Sequence, residues 1–334
     1  MKNKLCFIIP YFGKLPNYFP LFLLSCKYNN DFNWLIFTDD KTPYNYPTNV
    51  KVVHISFSEC QVIIQSKFNF PIALVQPYKL CDLKPMYGYI FEEYITNYTY
   101  WGHCDIDTIM GNLGKWLTDE FLEQYDKLFC LGHLTIYRNT AENNRTFMLP
   151  YNGKEIYKDV LTTPGIYTFD EIWKDNTNIC KLFEIYRKKC FTEDLSLNIA
   201  CAYNKFHRIK FVGREQSPNL NGYEIEKYIK ALYLWDNGNL CRYFIKDRHL
   251  MHEEFLYMHL QCRKMKINKG LLKENIDSFK IINDKFTKKD FNEVTLKTFP
   301  HIKKVGLCWH TQRLLIKKIK RRIKRFLNID NETR

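Results

Sequence analysis

Residues 100–107 of this chain read YWGHCDID, an aromatic, strand-like approach that ends in two carboxylates one residue apart. In a β-strand, Asp105 and Asp107 would point to one face and Ile106 to the other. If the strand ends there, both carboxylates reach one small volume at its carboxyl edge, where open α/β sheets bind ligands. Two hard oxygen ligands suit Mg²⁺ or Mn²⁺, and such an ion can hold a diphosphate.

The segments that precede this stretch alternate between strand-like and helix-like patterns. The sequence predicts strands at residues 4–9, 33–38, 50–55 and 98–104, and helices at 18–29 and 79–94. This alternation is typical of a doubly wound, mainly parallel sheet. We therefore predict an α/β fold of this kind for the first half of the chain.

The second half is less regular. Strands are predicted at residues 127–131, 135–137, 208–212, 230–235 and 241–245, and a helix at 171–189. Residues 236–239 read DNGN, which favours a tight hairpin turn. Residues 269–289 are polar, and we expect them to be peripheral.

Charge and cysteine content exclude several classes of protein. Of the net charge of +14, residues 303–334 carry +9, with eleven Lys or Arg and two acidic residues, so basicity does not mark a nucleic-acid-binding domain. The twelve cysteines include no C-x-x-C pair, which argues against a zinc ribbon or a disulfide scaffold and for a reducing compartment. No stretch approaches the ~20 apolar residues of a membrane-spanning helix.

The basic tail has its own pattern. Eight Lys or Arg fall within residues 313–325, and apolar residues recur at helical spacing: Leu315, Ile316, Ile319, Ile323, Phe326 and Leu327. A cationic helix with an apolar stripe is typical of helices that lie in an anionic membrane interface. The alternative is a surface helix whose stripe packs on the protein's own core.

The order of elements and motifs resembles that of nucleotide-sugar glycosyltransferases of the GT-A fold. The sequence is most similar to an uncharacterised bacterial family of polysaccharide-cluster proteins, through the IPYFG motif at residues 9–13 and the Trp-Gly-x-x-Asp-Ile-Asp core. The resemblance implies a GT-A-like catalytic domain at 1–265, with a nucleotide-binding half at 1–139 and an acceptor half at 140–265. A peripheral segment at 266–310 and the tail at 311–334 would follow.

The resemblance also implies roles for individual residues. Pro10, Tyr11 and Asp39 would surround the base and ribose, and Asp82 and Lys84 would face the nucleotide or donor sugar. Asp105 would contact ribose and metal, Asp107 would bind the metal, and His259 would be a third metal ligand. A solvated helix face is the alternative for Asp82 and Lys84, and a hydrogen-bonded core histidine for His259. His103 and His252 are competing ligands.

Several side chains are candidates for the catalytic base that an inverting transferase needs. They are Asp170 and Glu171, Asp194, and His133, which follows the strand after the Asp pair. Each aspartate precedes helix-like sequence, so helix capping is an alternative for both. A hydrogen-bonded structural role is the alternative for His133. Asp105 and Asp107 do not fit a hydrolase pair, whose carboxyl groups stand about 5–9.5 Å apart across a sugar.

The sequence thus predicts a metal-dependent glycosyltransferase in bacterial surface polysaccharide synthesis. Its expected donor is a nucleotide-diphosphate sugar, such as a UDP-sugar, and its acceptor a glycan or lipid-linked glycan. We expect the protein to bind Mn²⁺ or Mg²⁺ and to have no nucleic-acid partner. We expect a cytoplasmic protein, peripheral on the inner face of the cytoplasmic membrane. The alternatives are a metal-dependent nucleotidyl or phosphoryl transferase and a non-catalytic membrane-associated binding protein.

Overall fold

The computed structural model describes residues 4–173, 176–261, 263–272, 276–303 and 310–326. The chain forms two compact units. The first comprises Met1–Leu195 with Phe211–Glu224, and the second comprises Ser196–Lys210 with Ile225–Arg334.

The first unit is built on a seven-stranded sheet. The first strands of the chain, in order, are β1 (Leu5–Pro10), β2 (Phe32–Thr38), β3 (Val50–His54), β4 (Tyr100–Cys104), β5 (Thr108–Met110), β6 (Lys127–Leu131), β7 (Leu134–Arg138) and β8 (Cys190–Phe191). All but β5 belong to the sheet, in the order β3-β2-β1-β4-β7-β6-β8. Strands β1 to β4 run parallel, and β7 returns antiparallel to β4. The predicted α/β class with a mainly parallel sheet is confirmed.

The register of the parallel strands brings their carboxyl ends to one edge. Leu5 of β1 lies opposite Phe32 of β2 on one side and Tyr100 of β4 on the other. The three strands therefore start in line, and the residues that follow Pro10, Thr38 and Cys104 emerge at the same edge. This is the edge at which parallel sheets bind ligands.

Nine short helices belong to the described part of the first unit. They are α1 (Phe19–Lys27), α2 (Phe57–Gln65), α3 (Leu80–Leu83), α4 (Tyr87–Ile90), α5 (Leu113–Trp116), α6 (Asp119–Leu122), α7 (Ala141–Asn144), α8 (Ile156–Thr162) and α9 (Ile179–Ile185). Helix α2 begins with a capping box, in which Ser56 and Glu59 each bond the other's backbone N–H. The sheet and these helices share one core of buried aliphatic and aromatic residues.

The helix predicted at residues 79–94 is broken into short turns. Three-residue 3₁₀ turns at Pro77–Lys79, Lys84–Met86 and Glu92–Tyr94 alternate with α3 and α4. Pro85 has no N–H to continue an α-helix. Gly88 packs so closely on Trp101 that an added Cβ would lie 2.2 Å from the indole. Apolar spacing alone could not show these two constraints.

The helix predicted at residues 171–189 is also wrong over its first half. The helix observed there is α9, which begins after Asn178, whose side chain accepts the N–H groups of Cys180 and Lys181. Asp170 therefore caps no helix, and Asp194 precedes the strand Ser196–Asn198 rather than a helix. The capping alternative is wrong for both aspartates.

The second unit contains a six-stranded, mostly antiparallel sheet. Three short strands precede this sheet in the chain: β9 (Ser196–Asn198), β10 (Ile209–Phe211) and β11 (Tyr223–Ile225), the last two where the chain passes between units. The strands that follow are β12 (Ala231–Asp236), β13 (Asn239–Lys246), β14 (His249–Phe255), β15 (Tyr257–His259), β16 (Lys266–Ile267), β17 (Ser278–Ile282) and β18 (Lys285–Lys288), and all of these but β15 belong to the sheet. The sheet order is β14-β13-β12-β17-β18-β16, and β15 pairs with β9.

The hairpin predicted at residues 236–239 connects β12 and β13. Asn237 and Gly238 both adopt positive φ, which an Asn-Gly turn tolerates. The segment predicted to be peripheral, by contrast, contributes β17 and β18 to the sheet, with Phe279, Ile281 and Phe286 buried. Its alternating apolar residues form one buried strand face, a pattern that its polar average conceals.

Two helices complete the described chain, α10 (Phe299–Ile302) and α11 (His310–Phe326). Helix α11 carries most of the basic tail. No helix in the described ranges is long and apolar enough to cross a membrane.

Candidate active site

The two carboxylates of the opening motif lie on a tight turn at the carboxyl end of β4. The Asp105 N–H donates to the carbonyl of His133 at 3.0 Å, and the Thr108 hydroxyl donates to the carbonyl of Asp105 at 2.7 Å. Ile106 is buried, whereas Asp105 and Asp107 are partly exposed. The turn thus anchors its apolar residue in the core and fixes the backbone that carries both carboxylates.

Lys84 joins this turn to a second acidic residue. Its Nζ lies 2.6 Å from Oδ1 of Asp105 and 3.4 Å from Oδ2 of Asp170, and it donates to the carbonyl of Gly132 at 2.8 Å. Burial opposes the charge of the ammonium, but the two carboxylates outweigh that effect and hold the pKa of Lys84 well above its usual value. Lys84 is therefore a fixed cation at the edge of the sheet.

Asp170 is the buried member of this cluster. Desolvation raises the pKa of its carboxyl to about 7, with Lys84 opposing the shift and Glu171 adding to it. A carboxyl group with a pKa near neutrality can exchange a proton at physiological pH. Gly132 is required beside it, because an added Cβ would lie 2.6 Å from Oδ2 of Asp170 and 3.1 Å from Oε2 of Glu171.

The predicted donor contact of Asp82 is wrong. This side chain is fully buried, where it pairs with Lys79 at 2.8 Å and accepts the N–H groups of Tyr167 and Phe169 at 2.8 and 3.2 Å. Burial and full hydrogen bonding leave it no access to a donor. The pair instead holds the segment that delivers Asp170. Removing one partner of a buried ion pair typically costs about 3–5 kcal/mol.

The residues expected around the base and ribose lie at the same sheet edge. Pro10 ends β1, and the Tyr11 N–H donates to the carbonyl of Phe37 at 2.8 Å. Asp39 follows β2 and accepts the N–H of Gly13 at 2.7 Å, so it fixes the loop after β1. Gly13 has a φ of +101°, a conformation that favours glycine. These residues form a preorganised rim beside the Asp105 turn.

His133 and Asp194, the other candidate bases, have structural contacts. The backbone of His133 receives the Asp105 N–H, which gives this residue a part in positioning the turn. Asp194 is buried, and its Oδ2 accepts the N–H of Phe211 at 2.9 Å. Asp170 is joined to Lys84 and, through it, to Asp105.

His259 belongs to β15 of the second unit. It is buried and lies opposite Asn198 of β9, whose Oδ1 is 3.0 Å from the Nδ1 of the imidazole. A hydrogen bond at one ring nitrogen orients a histidine and is the usual arrangement of metal-ligating imidazoles. The same contact is typical of a structural histidine.

The competing histidines are placed differently. His103 is fully buried, its ring 6.5 Å from that of Tyr87 and 6.2 Å from that of Tyr137, and neither ring nitrogen has a hydrogen-bond partner among the described residues. Desolvation and then Lys84 hold its pKa well below the usual value, so the ring is neutral. His252 stacks on Tyr243 across the β13–β14 ladder. Neither position favours a ligand role.

Two features of the site were not predicted from the sequence. The bridge from Lys84 to Asp170 joins residues 86 positions apart, and no local pattern announces it. Gly132 could have been found, because a glycine between the end of a strand and His133 marks a close approach. The sequence did not show, however, which side chains lie next to Gly132.

The chain was compared with known protein families and proteins. A model described as "Family of unknown function (DUF6625)" matches residues 7–290. The chain belongs to this family. No curated protein matches it.

This member of DUF6625 is similar to solved structures of two glycosyltransferases. The galactosyltransferase LgtC, in complex with donor and acceptor sugar analogues, shares 11% identity over 59% of this chain and 75% of its own, with a TM-score of 0.32. The glycosyltransferase GlyE of Streptococcus pneumoniae TIGR4 shares 10% identity over 57% of this chain and 45% of its own, with a TM-score of 0.30. Roles for individual residues therefore rest on the site itself.

Proposed function

We propose that this protein is a metal-dependent glycosyltransferase that moves a sugar from a nucleotide-diphosphate sugar to a glycan or lipid-linked glycan acceptor. The observation that carries the proposal is the Asp105-Ile106-Asp107 turn at the carboxyl edge of a parallel sheet, joined by Lys84 to the buried Asp170. The edge is where such sheets bind nucleotides. The sequence resemblance to GT-A enzymes supports the same reading, with bacterial surface polysaccharide synthesis as the setting.

The metal would be Mn²⁺ or Mg²⁺, held by Asp105, Asp107 and His259. Two observations support this ligand set. Asp105 and Asp107 lie two residues apart on the turn after β4, and carboxylate and imidazole donors suit both the charge and the chemistry of Mn²⁺. When bound, the ion would act as a Lewis acid toward the departing diphosphate, on which negative charge grows.

The chain's own residues would perform the remaining tasks. Lys84 holds Asp105 in place and adds a fixed positive charge near the leaving group. Asp170, with a pKa of about 7, would accept the proton of the acceptor hydroxyl as the sugar is transferred. Pro10, Tyr11 and Asp39 would form the rim that receives the nucleoside.

The first test is a screen of nucleotide sugars for Mn²⁺-dependent thermal stabilisation of the full chain. A glycosyltransferase should be stabilised by one nucleotide sugar in the presence of Mn²⁺ and should slowly release the nucleoside diphosphate from it. Release of the sugar 1-phosphate, with transfer of the nucleoside monophosphate, would instead identify a nucleotidyl transferase. Absence of both stabilisation and turnover across all donors would favour a non-catalytic binding protein.

His259→Ala should weaken Mn²⁺ binding by at least about 10–100-fold, the cost of losing only a residue that orients a metal ligand, because one of three proposed protein ligands is itself lost. The measurement is a Mn²⁺ titration followed by calorimetry, with His252→Ala as the matched control. Unchanged Mn²⁺ affinity in a folded His259→Ala protein would assign this residue to the core of the second unit.

Helix α11 would tether the enzyme to an anionic membrane. The side chains of Leu315, Ile316, Ile319 and Ile323 are 45–56% exposed, which disfavours docking of this stripe on the protein. The side chain of Phe326 lies outside the described residues. The surrounding cations match an anionic surface, and each contributes about 1 kcal/mol near one. We propose a cytoplasmic protein, peripheral on the inner face of the membrane, near a lipid-linked acceptor.

Deleting residues after 310 should release the protein from vesicles that contain anionic lipid, while turnover of a soluble acceptor analogue survives. A variant with Ile316, Ile319 and Ile323 changed to Ser keeps every cation and should lose the insertion of the stripe but retain weak, salt-sensitive attraction. Vesicle co-sedimentation at low and high salt measures both. Equal sedimentation of the full and the shortened chain would eliminate the anchor.

A further inference from the structure

A buried lysine without a carboxylate partner lies at the start of β6. Lys127 is 1% exposed; its Nζ donates to the carbonyl of Phe129 and lies 3.2 Å from Sγ of Cys180. The rings of Tyr137 and Phe183 surround it at 5.9 and 6.0 Å. No carboxylate among the described residues pairs with it. Burying an ammonium without an anion is costly, and the Cys180 thiol is the side-chain hydrogen-bond partner that the structure places beside it.

The surroundings of the pair place a thiol that an oxidant can reach beside a buried cation. Burial opposes the ammonium, yet the neighbouring thiols, Cys180 first among them, raise the pKa of Lys127 above its usual value. Cys180 lies in the first turn of α9 and is only partly buried, so a small oxidant can reach it, whereas the amine is sealed behind it. A thiolate beside an ammonium is the form of cysteine that peroxides oxidise.

We propose that Lys127 and Cys180 are a site of reversible oxidative modification, at which a hydroperoxide drives formation of a covalent sulfur–nitrogen bond. The Cys180 sulfur attacks a peroxide oxygen as the thiolate, and the O–O bond breaks. The leaving hydroxide takes a proton from the Lys127 ammonium, so sulfenic acid, the free amine of Lys127 and water result. Nζ of Lys127, as the free amine, then attacks the sulfur; the S–O bond breaks and a second water leaves. Sulfur is oxidised by two electrons and the peroxide is reduced. A thiol reductant reverses the change.

The bond would tie β6 to α9 within the first unit. Strand β6 leads directly to Gly132, whose carbonyl receives Lys84, so the modification lies on the strand that supports the candidate active site. The cross-link closes a loop of about fifty residues, and closing such a loop stabilises a fold. Oxidised protein should therefore melt at a higher temperature than reduced protein, and dithiothreitol should abolish the increase.

Peptide mapping of the full-length protein after hydrogen peroxide treatment tests the proposal directly. Trypsin normally separates residues 116–127 from 128–138, and releases Cys180 in 175–181. The modified lysine resists cleavage, so we expect 116–138 joined to 175–181, lighter by two hydrogens than the sum of the two peptides. Dithiothreitol should restore the separate peptides.

Three controls separate the alternatives. The exposed Cys201 reports that peroxide has acted, and it should form no such link. Cys130→Ser removes the nearest competing thiol on β6 and should leave the product intact, whereas Lys127→Arg should abolish it. A disulfide between Cys130 and Cys180, recognised by normal cleavage after Lys127, would overturn the proposal. So would an unlinked Cys180 at a peroxide dose that oxidises Cys201.

Discussion

Asp107→Ala is expected to abolish sugar transfer and Mn²⁺-dependent nucleotide binding while the protein stays folded. Asp107 is partly exposed on the turn after β4, so its removal leaves no cavity in the core. It would, however, remove one of two carboxylates from an ion that has to neutralise a diphosphate. We expect a loss of at least about 10²–10³-fold in turnover, which is the cost of removing one electrostatically stabilising group from a catalytic site.

The measurement is donor hydrolysis and transfer at saturating Mn²⁺, with thermal melting as the check on folding. Asp159→Ala, a change at an exposed aspartate on α8, is the matched control and should behave as wild type. Asp107→Asn should retain the volume of the side chain and still lose activity, because the charge is what the ion requires. Normal turnover in a folded Asp107→Ala protein would show that the proposed metal site is wrong.

Asp170→Asn is expected to lower the transfer rate by about 10²–10⁴-fold and to remove its dependence on pH near neutrality. In the wild type, Asp170 has a pKa of about 7 and must be ionised to accept a proton, so the rate should rise with pH through about 7. Asparagine keeps the shape of the side chain but cannot titrate. The variant should therefore show a low rate that is flat over this range.

A pH–rate profile of wild type, Asp170→Asn and Glu171→Gln separates catalysis from positioning. The charge of Glu171 raises the pKa of Asp170, so Glu171→Gln should move the rise in rate to lower pH and leave its form unchanged. If Asp170 served only to hold Lys84, the rise near pH 7 would persist in Asp170→Asn. That result would assign the base to another residue or point to a retaining mechanism.

Strand positions were predictable because apolar runs leave few alternatives to a buried strand. Strands β1, β2, β3 and β4 lie within a residue or two of their predicted bounds, and the hairpin at Asn237-Gly238 follows from local turn chemistry. Helices were less predictable. Pro85 interrupts the helix predicted at residues 79–94. The helix predicted at residues 171–189 begins only at Ile179.

The sequence by itself determined the Asp105-Ile106-Asp107 motif, its position after a strand and the basic stripe of the tail, since each is a local pattern of residue types. Only the tertiary structure decided which charges meet. It buried Asp82 against Lys79, brought Asp170 to Lys84, and set Lys127 beside Cys180. Pairing between residues far apart in the chain depends on how strands and loops pack, and burial then fixes the partner of each group.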